Sequence, residues 1–325
     1  MNLNSSEILN DMVGDSDGIR AVKELIRRVA PTNATVLIHG ESGTGKELVA
    51  RSIHSLSRRD KSPLVTLNCS AIPPDLIESE LFGHKKGAFT GAVRDHRGVF
   101  RAAHRGTLFL DEIEAMSPAM QVKLLRTLQL GEIKPVGENV TGRVDVRVVC
   151  ATNADLNEMA DRGDFRKDLL FRINVFEIHV PPLRDRPEDI PLIADQFLRR
   201  FERAEGRYQL RIDPPVMEIL CRYEWPGNVR QMLNELERAC IVCGEGSTIS
   251  MSCLSPKISR SVHAGLNAPS DQRKTLKESV EELEKEMVAE TLRECKGNRT
   301  GAAKLLGLSR QGLLNKIHKF HLDDF

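Results

Sequence analysis

The sequence has few aromatic residues and almost no net charge. Only 4% of its 325 residues are Phe, Trp or Tyr, so we expect a core built mainly from aliphatic side chains. The formal net charge is +1, which means that any basic surface for nucleic acid must be a local patch. The rest of the composition, 40% hydrophobic and 29% charged, is typical of a globular protein and excludes a disordered one.

Long apolar runs and paired cysteines are also missing. No run approaches the roughly 20 apolar residues that a membrane-spanning helix needs, and the first residues do not resemble a signal peptide. The seven cysteines are odd in number, which favours reduced thiols in the cytoplasm over a disulfide framework. Cys240 and Cys243 form one CxxC pair in an apolar helical stretch, where core thiols are favoured over a metal or redox site. We therefore expect a cytoplasmic protein without membrane insertion.

Five short apolar runs alternate with helical patterns in the first half of the chain. Because the runs are continuous rather than alternating, they predict parallel strands that are buried on both faces. Helical patterns such as 19–29 and 118–130 fall between them, which indicates an open α/β fold. The predicted strands are 35–39, 64–68, 107–110, 146–151 and 176–180.

The strand signal ends after Pro181 and Pro182, and the rest of the chain is predicted to be helical. A polar stretch that contains two prolines and a glycine indicates a linker before the last helices. The predicted division is a leader (1–12), an α/β core (13–180), an all-α subdomain (181–250), a linker (251–273) and a C-terminal helical unit (274–325).

A glycine-rich loop lies directly between the first predicted strand and a helix. This context is the one that a phosphate-binding loop requires, because glycines let backbone N–H groups face the phosphates at a helix N-terminus. Lys46 would reach the β- and γ-phosphates, and Glu47 stands where Ser or Thr usually helps to bind Mg²⁺. The predicted nucleotide-binding loop is Gly40, Glu41, Ser42, Gly43, Thr44, Gly45, Lys46 and Glu47.

Two carboxylates follow the predicted strand 107–110. Asp111 and Glu112 would lie at its C-terminal end, which is where ligands bind in open α/β sheets. Asp111 would hold Mg²⁺ directly or through water, and Glu112 would act as the general base on the attacking water. Together with the glycine loop, this pair predicts an ATPase that uses ATP and Mg²⁺.

A small loop with an apolar tip lies between these two motifs. It has glycines at both flanks and Phe89 at its apex, and it reads either as a surface turn or as a mobile loop that presents Phe89 and Thr90 to a partner. Its residues are Gly87, Ala88, Phe89, Thr90, Gly91 and Ala92.

The sequence GAFTGA at 87–92, placed between the two ATP motifs, resembles the signature of sigma-54-dependent transcriptional activators, also called bacterial enhancer-binding proteins. The resemblance extends over about residues 10–325. It implies an α/β AAA+ P-loop ATPase core, a small all-α lid and a C-terminal Fis-type helix-turn-helix. It also implies that the loop contacts sigma-54, with Gly87 and Gly91 as flexible flanks. That family carries glutamate after the lysine of the P-loop, as Glu47 does here.

The resemblance assigns roles to five polar residues. Asn68 looks like the residue that holds the catalytic glutamate aside, and Asn153 like the sensor of the γ-phosphate. Arg166 and Arg172 look like arginine fingers offered to a neighbouring subunit, which implies a homo-oligomer, from a dimer to a hexameric ring. Arg230 looks like the lid arginine that reports nucleotide. The alternatives are a strand-end cap for Asn68 and helix-surface ion pairs for Arg166 and Arg172.

Further parts of the nucleotide site are implied in the same way. Val13 and Gly14 look like part of the adenine pocket, and residues 131–137 resemble a second loop that supports the first. Trp225, the only tryptophan, is expected to pack inside the lid.

The last part of the chain is locally basic. Residues 296–322 hold six Lys or Arg residues and no acidic residue, and they read as two helices around a glycine turn, with Ser309 as the cap of the second. This pattern predicts a helix-turn-helix for double-stranded DNA, with a plain amphipathic helix pair as the alternative. It resembles the Fis-type module. The predicted DNA-binding residues are Arg299, Lys304, Ser309, Arg310, Gln311, Asn315 and Lys316.

The helix expected at 275–295 places Leu276, Val280, Leu283, Met287 and Glu290 at 4-3-4-3 spacing, which favours a dimeric DNA-binding end.

Together with these features, the resemblance implies an activator that binds DNA upstream of promoters and uses ATP to open the closed complex of sigma-54 RNA polymerase. The sequence starts about a dozen residues before the core, so we expect no receiver or sensor domain in cis and control by expression or by a regulatory protein in trans. The alternatives are an AAA+ ATPase with another remodelling target and a DNA-binding repressor with a vestigial ATPase.

Overall fold

The computed structural model describes residues 12–206, 209–244, 248–259 and 298–320, with separate positions between 281 and 295. The chain divides into two units, residues 1–262 and 263–325. Within the described residues, no helix is both long and apolar enough to cross a membrane.

The first unit is built around a five-stranded sheet whose paired strands all run parallel, in the order β2-β3-β6-β1-β7. Every predicted strand is confirmed to within one residue at each end. The short strands β4 and β5 form a separate antiparallel hairpin that the sequence analysis did not predict. The strands are β1 (Val36–His39), β2 (Leu64–Asn68), β3 (Thr107–Asp111), β4 (Glu132–Ile133), β5 (Gly142–Arg143), β6 (Arg147–Thr152) and β7 (Phe176–His179).

Helices cover both faces of this sheet. Neighbouring side chains on a strand point to opposite faces, so Leu108 and Leu110 of β3 pack into one apolar cluster and Phe109 into the other. The predicted α/β fold with flanking helices is confirmed. The helices of the core are α1 (Asp17–Val29), α2 (Lys46–Ser55), α3 (Pro74–Phe82), α4 (Val99–Ala102), α5 (Pro118–Leu130), α6 (Leu156–Arg162) and α7 (Lys167–Ile173).

A buried arginine closes the C-terminal end of α1. Nη1 and Nη2 of Arg147 donate to the carbonyl oxygens of Ala30 and Val29 at 2.6 and 2.9 Å. Burial lowers the pKa of Arg147 to about 10. Because Arg147 begins β6, this contact lies at the end of the sheet opposite the carboxyl ends of the strands.

The helical subdomain, called the lid below, packs around Trp225. The indole is fully buried, and its Nε1 donates to the Leu220 carbonyl at 2.7 Å, as expected for a packing role. The expected all-α subdomain also contains a pair of two-residue parallel strands. Its elements are α8 (Ile190–Glu205), β8 (Arg211–Ile212), α9 (Pro214–Arg222), α10 (Asn228–Cys243) and β9 (Thr248–Ile249).

The start of the predicted linker at residue 251 was wrong, because the lid continues beyond it. Cys253, Leu254 and Ile258 are buried in the lid core, and Arg238 donates to the Cys253 carbonyl at 2.6 Å. Polar composition suggested a linker here, but the three apolar residues are spaced so that they reach the core.

The second unit contains α11 (Arg299–Leu305) and α12 (Arg310–Phe320), joined by a turn in which Gly307 has a φ of +65°. Ala302, Ala303, Leu313 and Ile317 bury its core. Of the expected dimer-forming positions, Met287 is 52% exposed, whereas Leu276, Val280, Leu283 and Glu290 lie outside the described residues.

Candidate functional site

The phosphate-binding loop connects β1 to α2. Gly43 and Gly45 adopt φ angles of +79° and +106°, which favour glycine over residues with a Cβ atom. Lys46 Nζ donates to the carbonyl oxygens of Gly40 and Glu41 at 2.7 and 3.2 Å. The ammonium group is thus held within the loop that would surround the phosphates.

The lysine and the acidic residues predicted to act with it come together. Burial lowers the pKa of Lys46, while the nearby carboxylates of Asp111, Glu114 and Glu112 oppose that shift. Burial raises the pKa of Asp111, and Lys46 opposes that shift in turn. The two motifs therefore form one charged site at the carboxyl ends of β1 and β3, although they are more than 60 residues apart in the sequence.

Asn68 lies beside the acidic pair, since it is the register partner of Asp111 across β2 and β3. Its Oδ1 accepts hydrogen bonds from the backbone N–H groups of Ser70 and Ala71 at 2.9 and 3.2 Å, and it lies 2.9 Å from Ser70 Oγ. The side chain that bonds directly to Glu112 is Ser70, whose Oγ donates to Oε2. Asn68 thus reaches Glu112 through Ser70, a residue that the sequence analysis missed.

Asn153 follows β6, the strand between β3 and β1. Its backbone N–H donates to Glu114 Oε1 at 3.4 Å. This position is compatible with the expected role beside the γ-phosphate, and it identifies Glu114 as a further acidic residue of the site. The sequence analysis missed Glu114 because an acid two positions beyond Glu112 carries no signal of its own.

Glu47 does not face the phosphate loop. Its carboxylate pairs with Arg51, one turn further along α2, at 2.7 Å, and both side chains are about half exposed. This ion pair does not support a phosphate or Mg²⁺ contact of the side chain, and the role of Glu47 in nucleotide binding stays a prediction.

The lid contacts the phosphate loop through a carboxylate of the loop itself. Arg184 donates to both oxygens of Glu41, with Nη1–Oε2 and Nη2–Oε1 distances of 2.9 and 2.6 Å. Asn228 Nδ2 donates to Glu41 Oε2 at 3.1 Å and to the Ser42 carbonyl at 3.0 Å. These bonds, first that of Arg184 and then that of Asn228, lower the pKa of Glu41 to about 2.

Two more arginines extend this contact. Arg230 donates its backbone N–H to the Gly43 carbonyl at 3.3 Å and lies 3.5 Å from Ser42 Oγ through Nη1. The buried Arg186 donates to the Thr44 carbonyl at 3.2 Å. The expected placement of Arg230 beside the loop agrees with this geometry. Arg184, Arg186 and Asn228 were missed because neither motif nor spacing marks them.

A cavity of about 140 Å³ lies next to the loop, between the core and the lid. Its apolar walls suit a nucleobase. Val13 lines it, as expected, together with Leu48, Phe197, Val229 and Leu233. Gly14 is not among the lining residues. Its φ is +136° and a Cβ atom there would lie 2.6 Å from Asp189 Oδ2, so the position favours glycine.

Asp189 ties the start of the core to the lid. The fully buried carboxylate accepts hydrogen bonds from the backbone N–H groups of Asp15 and Ser16 at 2.7 and 2.9 Å and from Ser16 Oγ at 2.6 Å. This cluster holds the segment that carries Val13 against the cavity.

The loop of residues 87–92 is closed by hydrogen bonds from Gly87 N to the Ala92 carbonyl at 2.9 Å and from Ala92 N to the Phe89 carbonyl at 3.0 Å. Gly87 and Gly91 have φ angles of +82° and +104°. Thr90 is exposed, and the ring of Phe89 lies edge-on to His84, with 4.9 Å between the ring centroids. The loop thus presents a polar tip with its aromatic ring half-buried.

The hairpin of β4 and β5 supports this loop, as the sequence resemblance implied. Lys85 N donates to the Val136 carbonyl at 3.0 Å, and Val136 N to the Gly83 carbonyl at 2.9 Å. A Cβ atom on Gly137 would lie 2.7 Å from the Cβ of Ala88.

The two candidate arginine fingers lie at the start and near the end of α7. Arg166 forms an ion pair with Asp168 at 2.7 Å, and Arg172 Nη2 donates to the Leu128 carbonyl at 2.7 Å. Their neighbours Phe171 and Val175 are 78% and 59% exposed. Arg172 therefore lies between two exposed apolar residues in the sequence.

In the C-terminal unit, both helices begin at a capping side chain, and the predicted cap Ser309 is one of them. Asn298 Oδ1 accepts from the N–H groups of Thr300 and Gly301 at 3.2 Å, and Ser309 Oγ accepts from Gly312 N at 3.0 Å.

The predicted DNA-contacting side chains divide into two groups. Six are exposed: Arg299, Lys304, Ser309, Arg310, Gln311 and Asn315. Lys316 differs, because its Nζ lies 2.5 Å from Glu284 Oε2 within the same unit. Lys316 was predicted to contact DNA, whereas in the structure its ammonium group is already paired with a carboxylate.

Three family models match consecutive parts of the chain. They are described as sigma-54 interaction domain (residues 12–179), AAA+ ATPase lid domain (184–270) and bacterial regulatory protein, Fis family (279–320). The first alone covers just over half of the chain.

Similar proteins include the regulatory protein AtoC of Escherichia coli, which is 47% identical over 91% of this chain and 64% of its own length. The transcriptional regulatory protein ZraR of Salmonella typhimurium is 46% identical over 95% of this chain and 68% of its own length. The nitrogen fixation protein AnfA of Azotobacter vinelandii is 44% identical over 96% of this chain and 57% of its own length. The chain thus spans somewhat more than half to two thirds of the length of these relatives.

Among solved structures, the crystal structure of NtrX from Brucella abortus in complex with ATP is similar, with a TM-score of 0.72 and 34% sequence identity. The similarity covers 95% of this chain and 69% of that chain.

Proposed function

The chain belongs to the family of sigma-54-dependent transcriptional activators, and from that premise we propose that it hydrolyses ATP to convert the closed complex of sigma-54 RNA polymerase into the open complex. The observation that carries the proposal is that one short segment joins the catalytic edge of the sheet to the loop 87–92. β2 ends at Asn68, α3 follows at Pro74, and α3 ends at Phe82, four residues before the loop begins at Gly87.

In this proposal the chain's own residues bind and orient the nucleotide. The phosphate loop surrounds the phosphates with backbone N–H groups, and Lys46 neutralises their charge. Glu112 orients and deprotonates the attacking water. The cavity lined by Val13 and Phe197 receives the adenine.

Magnesium fits the chemistry of this site. Among the described residues, no group of three or more His, Cys, Asp or Glu side chains is arranged to hold a metal ion. Asp111 would hold it, because a carboxylate is the hard oxygen ligand that Mg²⁺ prefers. When bound, the ion would neutralise charge that develops on the phosphates.

Assembly into a ring would complete the site. Arg166 caps the start of α7 and Arg172 lies near its end, where Phe171 and Val175 are exposed. A second copy that buries this apolar surface would receive the arginines at its own nucleotide. A finger supplied in trans raises turnover by roughly 10³- to 10⁵-fold in related phosphoryl-transfer enzymes. We propose a hexamer.

The C-terminal unit would bring the ring to its promoter in the cytoplasm. Arg310, Gln311 and Asn315 lie exposed on the first two turns of α12, where a recognition helix contacts base edges in the major groove. Upstream double-stranded DNA is therefore the proposed second partner.

In vitro transcription from a sigma-54 promoter tests the proposal with Thr90→Ala, since Thr90 is the exposed tip of the loop. We expect open-complex formation to be lost while ATP turnover remains. The matched control is Thr248→Ala, the same substitution at an exposed lid residue. Wild-type protein that hydrolyses ATP but neither binds sigma-54 nor opens the promoter would contradict the proposal.

A further inference from the structure

Ser70 places its hydroxyl between two acceptors in the catalytic site. Its Oγ lies 2.9 Å from Asn68 Oδ1 and also donates to Oε2 of Glu112. The residue follows β2 by two positions and is exposed, so packing of the core does not account for its place.

A serine hydroxyl has one proton, so it donates to only one of these acceptors at a time. Asn68 Oδ1 already accepts the backbone N–H groups of Ser70 and Ala71. The Glu112 oxygen is charged and forms the stronger bond. In this arrangement the Ser70 hydroxyl therefore donates to Glu112. Asn68 Oδ1 keeps its two backbone N–H donors.

The order of the strands shows toward which side of the sheet the bond from Ser70 draws the Glu112 carboxylate. β2 is the edge strand on one side of β3, whereas β6 and then β1, which leads into the phosphate loop, lie on the other side. A carboxylate bonded to Ser70 is thus drawn toward β2 and away from the loop that would hold the phosphates.

We propose that Ser70 is a positioning residue that holds Glu112 in a withdrawn place until ATP is ready for hydrolysis. When Glu112 turns toward the attacking water, the hydroxyl of Ser70 rotates and donates to Asn68 Oδ1 instead. The hydroxyl therefore has a partner in both states, and each state has a defined hydrogen-bond pattern. This inference deepens the proposed function, because it assigns control of the same ATP site.

The backbone around Ser70 is held in place, which suits a hydroxyl that donates to either Glu112 or Asn68. Cys69 N donates to the Asp111 carbonyl at 2.9 Å, which fixes the backbone on one side of Ser70. The Asn68 bonds to two backbone N–H groups fix it on the other. Only the hydroxyl and the Glu112 side chain remain to move.

The test measures ATP turnover by the full-length protein without sigma-54, at a protein concentration that saturates assembly. For Ser70→Ala we expect the basal kcat to rise about three- to tenfold, the effect of removing one hydrogen bond from the withdrawn state. KM for ATP should stay unchanged, because Ser70 does not contact the phosphate loop in this arrangement. Ser70→Thr retains the hydroxyl and should keep the wild-type rate.

Ser117→Ala is the matched control, because Ser117 is exposed and forms no side-chain cap bond at the start of α5. A double-mutant cycle with Asn68→Ala provides the second readout. If both residues act on Glu112 through one contact, the combined effect on kcat will be smaller than the product of the single effects.

An unchanged or lower kcat in folded Ser70→Ala would overturn the proposal, and so would independent effects in the cycle. If Ser70→Ala does not fold, Ser70→Cys provides the same test, since a thiol is a weak donor of similar size. Absence of turnover in the wild type would overturn the proposed function itself. Normal turnover without a response to Ser70→Ala would overturn only the role of Ser70.

Discussion

Arg184 of the lid binds Glu41 of the phosphate loop through two parallel hydrogen bonds of 2.9 and 2.6 Å. The pair joins residues 143 positions apart, so it holds the lid on the loop. We expect the lid to follow nucleotide binding through this contact, because any movement of the loop changes the position of Glu41.

Replacing Arg184 by alanine should weaken ATP binding more than it slows hydrolysis. The variant removes both bonds to Glu41 and leaves Lys46 and Glu112 in place. We expect KM for ATP to rise about three- to tenfold with a smaller change in kcat, in line with the loss of a charge-assisted contact at a partly exposed site. Steady-state kinetics measures both constants. Arg199→Ala is the control, because Arg199 forms an ion pair with Asp195 on the exposed side of α8.

The stability of the first unit should depend on pH through Glu41. The folded protein lowers its pKa from the usual 4.5 to about 2, so the unfolded chain binds this proton more readily. The contribution of Glu41 is therefore complete above pH 4.5 and is lost as the pH falls toward 2. Thermal unfolding of the wild type and of Glu41→Gln should show a difference in midpoint that is constant above pH 5 and shrinks below pH 4.5. A difference that grows with acidity would contradict the assignment.

Asp189 should be among the most sensitive positions for folding. Asp189→Ala would leave the N–H groups of Asp15 and Ser16 and the Ser16 hydroxyl without their buried acceptor. We expect a loss of about 2–4 kcal/mol in the free energy of unfolding, measured by urea denaturation. Asp195→Ala, at an exposed position on α8, should change it by less than about 0.5 kcal/mol. Equal effects of the two substitutions would refute the role of Asp189.

Glu112→Gln should separate ATP binding from hydrolysis. The amide keeps the size of the side chain but cannot accept a proton from water, so we expect kcat to fall by about 10²- to 10⁴-fold. Binding of a fluorescent ATP analogue should remain near the wild-type value, because Lys46 and the loop are unchanged. Glu158→Gln on the exposed face of α6 serves as control. Retained turnover in Glu112→Gln would assign the general base elsewhere.

Arg310→Ala and Lys316→Ala should differ in their effects on DNA binding. Arg310 is exposed at the start of α12, whereas Lys316 is paired with Glu284. We expect Arg310→Ala to weaken binding to the target DNA by about 1–3 kcal/mol if it contacts a base. Lys316→Ala should mainly lower the thermal stability of the second unit. Fluorescence anisotropy at several salt concentrations measures the binding constant of each variant. Loss of a phosphate contact would lower the slope of log K against log salt concentration by about 0.9.

Local sequence was sufficient to predict the sheet and both ATP motifs. Continuous apolar runs are typical of strands buried on both faces, and the glycine loop and the Asp111–Glu112 pair each lie within a few residues of a strand end. The ion pair of Glu47 with Arg51 could also have been predicted, since acid and base lie four residues apart on one helix face.

Contacts between distant segments were not predictable in this way. Nothing near Arg184 in the sequence indicates Glu41 as its partner. Lys316 and Glu284 are 32 positions apart and meet only through the tertiary fold. The bond of Ser70 to Glu112 depends on the register of β2 against β3. A motif fixes which residues are present, whereas these pairs depend on the tertiary fold.

The direct connection through α3 has a consequence for how the chain tolerates insertions. A helix of nine residues spans about 13 Å, and each added residue rotates the downstream part of the chain by about 100° about the helix axis. We therefore expect one inserted residue in α3 to rotate Phe89 about the helix axis to a different side of the molecule. The nucleotide site would stay intact. The length of α3 therefore sets the orientation of the loop 87–92 relative to the ATP site. We expect this orientation to matter for function as much as the residues at the two ends of the helix.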